Sequence, residues 1–301
     1  MGGNEKDLTM PELPEVETTV RELRRHLVGL KILRLWTDWP RISRHQPFPK
    51  LAKKIQGRKI VAVRRRAKYI VLDLDGPLSA VIHQKMSGHL LYGKWAQKGG
   101  KWISSSSGPL GSDPKNAYLR LVLWLSNSHQ LALSDLRRFG TIALDNDTDI
   151  EKGRVFEGLG PEPLEVSPKE FRQLFEKKKG YLKPVLMDPG FIVGIGNIYA
   201  DEILWHAGLH PKSRVEKLTQ KDVNSLYKFT HSVLKTAIKH GGASVDDYRQ
   251  PSGKKGDFQN IARAYQRTGQ KCLKRDGGTI QRLVIGQRSA HFCPKHQKLR
   301  K

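Results

Sequence analysis

The apolar period of this chain changes more than once, and where it changes limits the folds it can adopt. Up to Gly29 the period is helical: Val16, Val20, Leu23 and Leu27 recur at i, i+4, i+7 and i+11 and form one stripe. Pro14 suits the first helical turn, and Glu15 and Glu17 follow at the positive end. Arg24, Arg25 and His26 occupy the last turn, and Gly29 suits the residue just past the end. From Ile32 the period drops to two or to short apolar runs. Strands are expected over 32–36, 59–63, 69–74, 79–83, 119–125, 130–133 and 141–144, separated by turn signals such as Asp75-Gly76-Pro77. Many short strands at hairpin spacing predict a β-sandwich. Residues 99–116 contain SSSSGPLGSDP and read as a flexible loop inserted into that sheet domain.

Both periodicities break between Asp145 and Pro168, through DNDTD and GPEPLEVSP, and a domain boundary is expected there. Helical patterns then resume over 168–178, 182–187, 197–207 and 219–240, the last stopped by Gly241-Gly242. From Ala264 onward, CLKRDGG and GQRSAHFCPKH predict a small hairpin module.

Charge narrows the partners. Among 301 residues, 54 Lys and Arg stand against 29 Asp and Glu, a net charge of +25. Such a surplus favours a polyanion, because each phosphate neutralised releases condensed counterions. Nucleic acid leads and an anionic membrane surface trails; charge alone does not choose DNA over RNA, nor an enzyme over a passive binder. No apolar run approaches the ~20 residues of a membrane span. MGGNEKDLT lacks the apolar core of a secretory signal, so a cytoplasmic, nucleoid-associated protein is expected. Two cysteines, Cys272 and Cys293, are too few for a disulfide scaffold.

Several stretches carry chemistry. In MPELPEVE, residues 10–17, the prolines shape a helix entry and the glutamates decorate its positive end. A second reading starts the mature chain at Pro11, whose secondary amine is a nucleophile toward a sugar aldehyde, with the Glu12 carboxyl beside it to move protons. With residues 1–9 and Met10 attached, the Pro11 nitrogen is a tertiary amide and that chemistry is impossible; a misassigned start codon is the expectation. In RRRAKY, Lys68 stands at a strand mouth, aimed at a phosphate or a reacting sugar, or else part of a solvated basic hairpin. Met86 lies in the glycine turn HQKMSGHL. DLRRFG presents Arg137, Arg138 and Phe139, an apolar wedge beside two arginines, as a protein holding open a duplex would. KKKGYLKP contains Lys179, and in GFIVGIGNIYADE a glycine-rich turn precedes a helix beginning at Asn197. Backbone N–H groups exposed there would suit a phosphate, or the stretch is an ordinary helical hairpin with Asn197 as cap. In the tail, Cys293 and His296 have the CPKH spacing of half a zinc site. A CxxC partner of Cys272 would fall on Arg275, which cannot bind zinc; Asp276, one residue later, can, and His291 is a further candidate.

Taken together, PELPEVE, RRAKY, MSG, RRFG, LGPEPL, GIGNIYADE, the glycine-rich stretch 241–258 and the QR..HFCP tail resemble, in order, the formamidopyrimidine-DNA glycosylase family, relatives of endonuclease VIII. The resemblance covers nearly the whole chain, from Met10 to Gln297. It implies an α+β fold: an N-terminal helix plus β-sandwich domain, then a helix-two-turn-helix domain ending in a zinc-finger-like β-hairpin, with DNA in the basic cleft between the halves. The expected divisions are an extension 1–9, a catalytic domain 10–145, a linker 146–168, a helix-two-turn-helix domain 169–262 and a hairpin 263–301.

The resemblance also implies roles. Pro11 resembles the Schiff-base nucleophile and Glu12 the proton donor; Lys68 resembles the lysine of β-elimination, and Arg288 the finger arginine of δ-elimination. Arg138, Lys179 and Asn197 match phosphate-gripping positions, and Tyr118 stands where many relatives have a phosphate-contacting histidine. Met86, Arg137 and Phe139 match the trio that fills the gap left by an extruded base, in the style of the purine-lesion branch. Cys272, Asp276, Cys293 and His296 would hold one structural zinc. The implied activity is excision of oxidised purines (8-oxoguanine, formamidopyrimidines) from double-stranded DNA with AP lyase β,δ-elimination, by a monomer with no membrane partner. The rival readings are an endonuclease VIII-like glycosylase for oxidised pyrimidines, a lyase-dead damage binder if the extension is retained, and a general RNA-binding protein, which explains the charge but not the ordered motifs.

Overall fold

A computed structural model describes residues 10–146 and 155–301. The expected extension 1–9 and residues 147–154 of the expected linker lie outside the described residues. Along the first half run α1 (Leu13–Leu27), β1 (Ile32–Thr37), α2 (Phe48–Ile55), β2 (Ile60–Arg66), β3 (Tyr69–Leu74), β4 (Leu78–His83), β5 (Gly88–Gly93), β6 (Trp95–Lys98), β7 (Lys101–Ser104), α3 (Pro109–Ser112), β8 (Leu119–Leu125), β9 (Gln130–Asp135) and β10 (Thr141–Asn146). The second half contributes α4 (Pro168–Glu176), α5 (Leu182–Met187), α6 (Asn197–Ala207), α7 (Gln220–Lys239), β11 (Gln281–Ile285) and β12 (Arg288–Phe292).

Two compact units divide the chain, and they interleave along it. One gathers Pro14–Glu157 with His240–Asp257; the other gathers Met1–Leu13, Gly158–Lys239 and Phe258–Lys301.

In the first unit, two antiparallel four-stranded sheets, ordered β1-β8-β9-β5 and β10-β4-β3-β2, form the sandwich. Their period-two pattern sends Leu121, Leu123, Leu125, Leu131 and Leu133 inward from one sheet and Ile70, Leu72, Ala80, Ile82 and Ile142 from the other. The α1 stripe Val16, Val20, Leu23 and Leu27 joins the same core. The alternate residues Leu91, Leu119, Val122 and Ala132 face outward and pack with Trp95, against which Trp36, Trp102, Leu110 and Trp124 lie half-buried. Residues 99–116 are therefore not the flexible loop expected from their Ser and Gly content. Strands β6 and β7 pair as a hairpin, α3 and a 3-10 turn at Pro114–Ala117 follow, and the tryptophans clamp the whole insertion onto the outer sheet face. Two further elements escape the periodic reading. Helix α2 buries only Leu51 and Ile55, one i, i+4 pair, and β5 begins at Gly88, inside what reads as a glycine turn.

In the second unit, α4 opens with a capping box in which Ser167 and Glu170 satisfy each other's backbone N–H groups. The hairpin β11–β12 turns at Gly286 and Gln287, both at positive φ (55° and 62°), between the paired Ile285 and Arg288. It is tied to the helices by a buried ionic group. Lys183 of α5 bonds Asp201 of α6 at 2.6 Å and the Ser289 carbonyl; Asp201 in turn accepts from the His291 backbone N–H and Nδ1, both at 2.9 Å. The next residue of α6, Glu202, accepts the N–H groups of Arg263, Ala264 and Tyr265 at 2.7–2.9 Å. Among the described residues no helix is long and apolar enough to cross a membrane.

Two buried histidines make the sandwich sensitive to acid. His83 accepts a hydrogen bond from the Lys85 N–H at Nδ1, and burial, reinforced by the charges of Lys85 and Lys68, brings its pKa from 6.5 to about 3. Burial likewise lowers His89, 2.9 Å from Asn116 Oδ1, to about 4. Both are neutral when folded, so below pH 6.5 the unfolded chain takes up protons that the folded chain cannot, and stability falls until the folded values are reached. At pH 5 each histidine costs about 2 kcal/mol relative to pH 7. Urea unfolding midpoints are expected to drop over that interval, and His89→Gln to make the drop shallower.

Candidate functional site

Strand register gathers the basic and apolar turns of the first unit at one end of the sandwich. The pairs Tyr69↔His83 and Thr141↔His83 align the start of β3, the end of β4 and the start of β10. In the other sheet, Gly88↔Asp135 and Leu119↔Ser134 align the start of β5, the end of β9 and the start of β8. Lys68 in the β2–β3 turn, Met86 in the β4–β5 turn, Tyr118 before β8, and Arg137, Arg138 and Phe139 in the β9–β10 turn therefore share that end. Three of these turns carry a non-glycine residue in the left-handed region: Ala67 (φ 53°), Lys85 (φ 56°) and Arg138 (φ 57°). Such backbone is costly, and it concentrates where loop shape is under constraint.

Asp135, a residue that sequence reasoning passed over, builds the arginine turn. Its buried carboxylate accepts the N–H groups of Phe139 at 2.8 Å and Gly140 at 2.7 Å through one oxygen, and the Ser87 hydroxyl at 2.5 Å through the other. The β9–β10 turn thus folds around an anion and is tied to the Met86 turn. Its side chains point outward: Phe139 is 42% exposed, the Arg137 guanidinium stands 4.7 Å over the Phe139 ring, and Arg138 pairs with Asp38 at 3.0 Å. Arg120 reaches the same Asp38 oxygen at 2.5 Å. An aspartate two residues before an Arg-Arg pair, followed by Phe-Gly, was the available signal.

In the second unit, residues 11–13 lie along the glycine turn before α6. The Leu13 N–H donates to the Gly194 carbonyl at 3.0 Å. The Glu12 carboxylate accepts Gly196 N–H at 2.6 Å on one oxygen and Ile198 N–H at 2.9 Å on the other. This corrects one expectation: these N–H groups at the helix start are buried on Glu12 and do not serve a phosphate. The glycines permit the approach, since a Cβ on Gly196 would run into Glu12 Cδ and one on Gly194 would sit 2.7 Å from Leu13 Cβ. Asn197 is the first residue of α6 rather than its cap, which is Gly196, and its Oδ1 is buried with no hydrogen-bond partner. Pro11 is buried, whereas Lys179 and Arg288 are exposed, the latter at the first position of β12 beside its turn.

Cys272, Asp276, Cys293 and His296 converge so that one donor atom of each lies within 4.8 Å of the others. Two thiols, an imidazole and a carboxylate fit tetrahedral zinc. His296 turns Nδ1 inward, 2.7 Å from Asp276 Oδ2 and 3.6 Å from Cys272 Sγ, while Nε2 donates to the Trp205 carbonyl at 3.1 Å, an outer contact that fixes the ring as metal-binding histidines require. His291, the other candidate ligand, is turned to Asp201 and takes no part.

Known proteins match over almost all of this length. The family model for the formamidopyrimidine-DNA glycosylase N-terminal domain matches residues 10–142, and that for the H2TH domain of the same proteins matches 159–249. A formamidopyrimidine-DNA glycosylase of Heliobacterium modesticaldum is 37% identical over 295 residues, covering 96% of this chain and 100% of that protein. Among solved structures, a mutant Lactococcus lactis FPG bound to Fapy-dG-containing DNA superposes with a TM-score of 0.83 at 31% identity, over 96% of this chain and 100% of that one. The wild-type Lactococcus lactis protein with DNA containing an oxidised pyrimidine gives 0.82 at the same identity and coverage.

Truncating the anion at the centre of the arginine turn tests its construction. Asp135→Ala leaves the Phe139 and Gly140 N–H groups without their acceptor and is expected to lower the unfolding free energy by about 3 kcal/mol, against about 1 kcal/mol for Ser87→Ala, in urea titrations.

Proposed function

The chain belongs to the formamidopyrimidine-DNA glycosylase family, and on that premise we propose that it is a base-excision-repair glycosylase that removes oxidised purines from duplex DNA and cleaves the resulting abasic strand. The observation that carries this reading is the common end of the sandwich at which Lys68, Met86, Tyr118, Arg137, Arg138 and Phe139 sit. An exposed aromatic ring flanked by two guanidinium groups suits a duplex whose damaged nucleotide has been extruded: the ring occupies the gap and the cations hold phosphates. Arg138 would exchange its pairing with Asp38 for a phosphate, and Lys179 and Asn197 would add contacts from the second unit.

In the proposed reaction the Pro11 amine attacks C1′ of the extruded nucleotide. The N–C1′ bond forms as the bond to the base breaks, the base leaves with a proton, and Glu12 protonates the opening sugar. The iminium acidifies the C2′ proton; its loss expels the 3′ phosphate, and a second elimination expels the 5′ phosphate. Lys68 and Arg288 serve these two departures. The backbone N–H groups of Gly196, Ile198 and Tyr199 hold the Glu12 carboxylate, next in the chain to Pro11, which supports its role. The chemistry requires a free Pro11 amine, hence a chain that begins there, and the family match itself begins at residue 10.

Zinc, when bound by Cys272, Asp276, Cys293 and His296, supplies a cross-link and no step of the reaction. Those residues hold the ends of the segment that carries β11, β12 and Arg288. The complex of the Lactococcus lactis relative with an oxidised-pyrimidine DNA favours a second reading, in which the lesion range extends to pyrimidines.

Borohydride trapping on an 8-oxoguanine:C duplex, with peptide mapping, tests the mechanism. Protein beginning at Pro11 is expected to cross-link through Pro11, and protein retaining Met10 to bind the duplex without trapping; a cross-link on Lys68 instead would overturn the assignment. Thymine glycol:A duplex in the same assay separates the two lesion readings. Elemental analysis is expected to find one zinc per chain, lost in Cys293→Ser.

A further inference from the structure

The insertion at residues 99–116 is stitched to the segment that follows α7. Arg249 Nε donates to Asp113 Oδ2 at 2.6 Å, with both side chains largely buried (5% and 15% exposed). Lys115 Nζ meets Asp247 Oδ1 at 2.5 Å, and the Tyr92 N–H, at the base of the insertion, donates to the Pro251 carbonyl at 2.9 Å. Gly253, at φ 80°, lies so close that a Cβ there would stand 2.8 Å from the Leu110 nitrogen and 2.9 Å from Asn116 Nδ2.

The other side of the segment grips α1. The Ala243 N–H donates to Glu15 Oε1 at 2.7 Å, the Tyr248 hydroxyl donates to the Glu15 carbonyl at 3.0 Å, and a Cβ on Gly242 would stand 2.7 Å from Glu15 Oε1. Arg249 is the hub between the two sides. Besides Asp113 it donates through Nη1 to the carbonyls of Asp246 at 3.1 Å and Tyr248 at 2.8 Å, and so holds the backbone that presents the Tyr248 ring to Glu15.

We propose that the insertion is a brace: through Asp113–Arg249 and Lys115–Asp247 it holds residues 240–257 against Glu15 and so fixes the first turn of α1, which Pro11 and Glu12 immediately precede in the chain. Asp113, Arg249 and Tyr248 are then positioning residues for the reaction, a role that rests on the function proposed above. The insertion can transmit position because Trp102 packs it against Trp36 and Trp124 of the sheet. Removing Asp113 leaves a buried guanidinium without its anion, the change a buried pair tolerates least. Position matters to the chemistry because a misplacement of about 1 Å at reacting groups costs about 10²-fold in rate.

Hydrogen–deuterium exchange on the full chain tests the brace without reference to activity. Asp113→Ala and Arg249→Ala are expected to speed exchange about tenfold both in residues 243–257 and in the first turn of α1, with the β11–β12 hairpin unchanged. The double variant should add little to either single one, and Arg249→Lys, which keeps the charge, should recover part of the protection. On 8-oxoguanine duplex, the single-turnover excision rate should fall while duplex Kd holds. Faster exchange confined to 243–257, or spread evenly over the chain, overturns the proposal. If the parent protein excises nothing, the proposed function fails and the exchange in α1 alone decides the brace.

Discussion

Buried carboxylates that accept backbone N–H groups hold the working parts of this molecule in place. Glu12 takes three N–H groups at the start of α6, Asp135 takes those of the arginine turn, Glu15 takes Ala243, and Glu202 takes three in the segment before β11. A buried anion is expensive unless several donors surround it, and charge-assisted bonds of this kind are among the stronger ones available. Each therefore ties a loop or helix end to one geometry. In a chain with a surplus of 25 positive charges, a small number of anions shapes the surfaces on which the cations are displayed.

That division of labour suits an enzyme working on DNA. Affinity for a duplex comes from many exposed lysines and arginines and tolerates imprecision, because counterion release does not depend on exact placement. Extruding one nucleotide and attacking its sugar does not tolerate it. The groups assigned to the second task, Phe139, Arg137, Glu12 and Pro11, are those whose backbone is tied to an internal carboxylate or lies beside one. The hairpin with Arg288 follows the same pattern through Asp201, paired with Lys183 and His291, and through the cysteine, aspartate and histidine cluster at its base.

Elements with a long, clean period were legible in the sequence: α1, β3, β8, α5 and α6 fall where periodicity and turn residues put them. The insertion was not, because Ser and Gly dominate its composition while its order comes from Trp95 and Trp102 packing on Trp36 and Trp124, residues remote in sequence. Helix α2 shows too short a stripe to read. At the site, the order of motifs identified the family and the candidate residues, but His291 stood as a further candidate ligand until its ring was seen on Asp201, and a phosphate site at the N–H groups before α6 stood beside an ordinary helical hairpin until Glu12 was seen to occupy them.

By itself the sequence determined the chemistry on offer: a polycationic chain, a proline amine able to act only if freed, a wedge flanked by arginines, and four zinc-type donors with one cysteine replaced by Asp276. These follow from side-chain identity and local spacing, which are properties of the covalent chain. Only the tertiary structure decided which of them meet. Strand register brought three turns and the approach to β8 to one end of the sandwich, an internal carboxylate set the shape of the arginine turn, and the insertion came to rest on the segment that grips α1. Those outcomes depend on pairings between residues up to more than two hundred positions apart, and no local period encodes them.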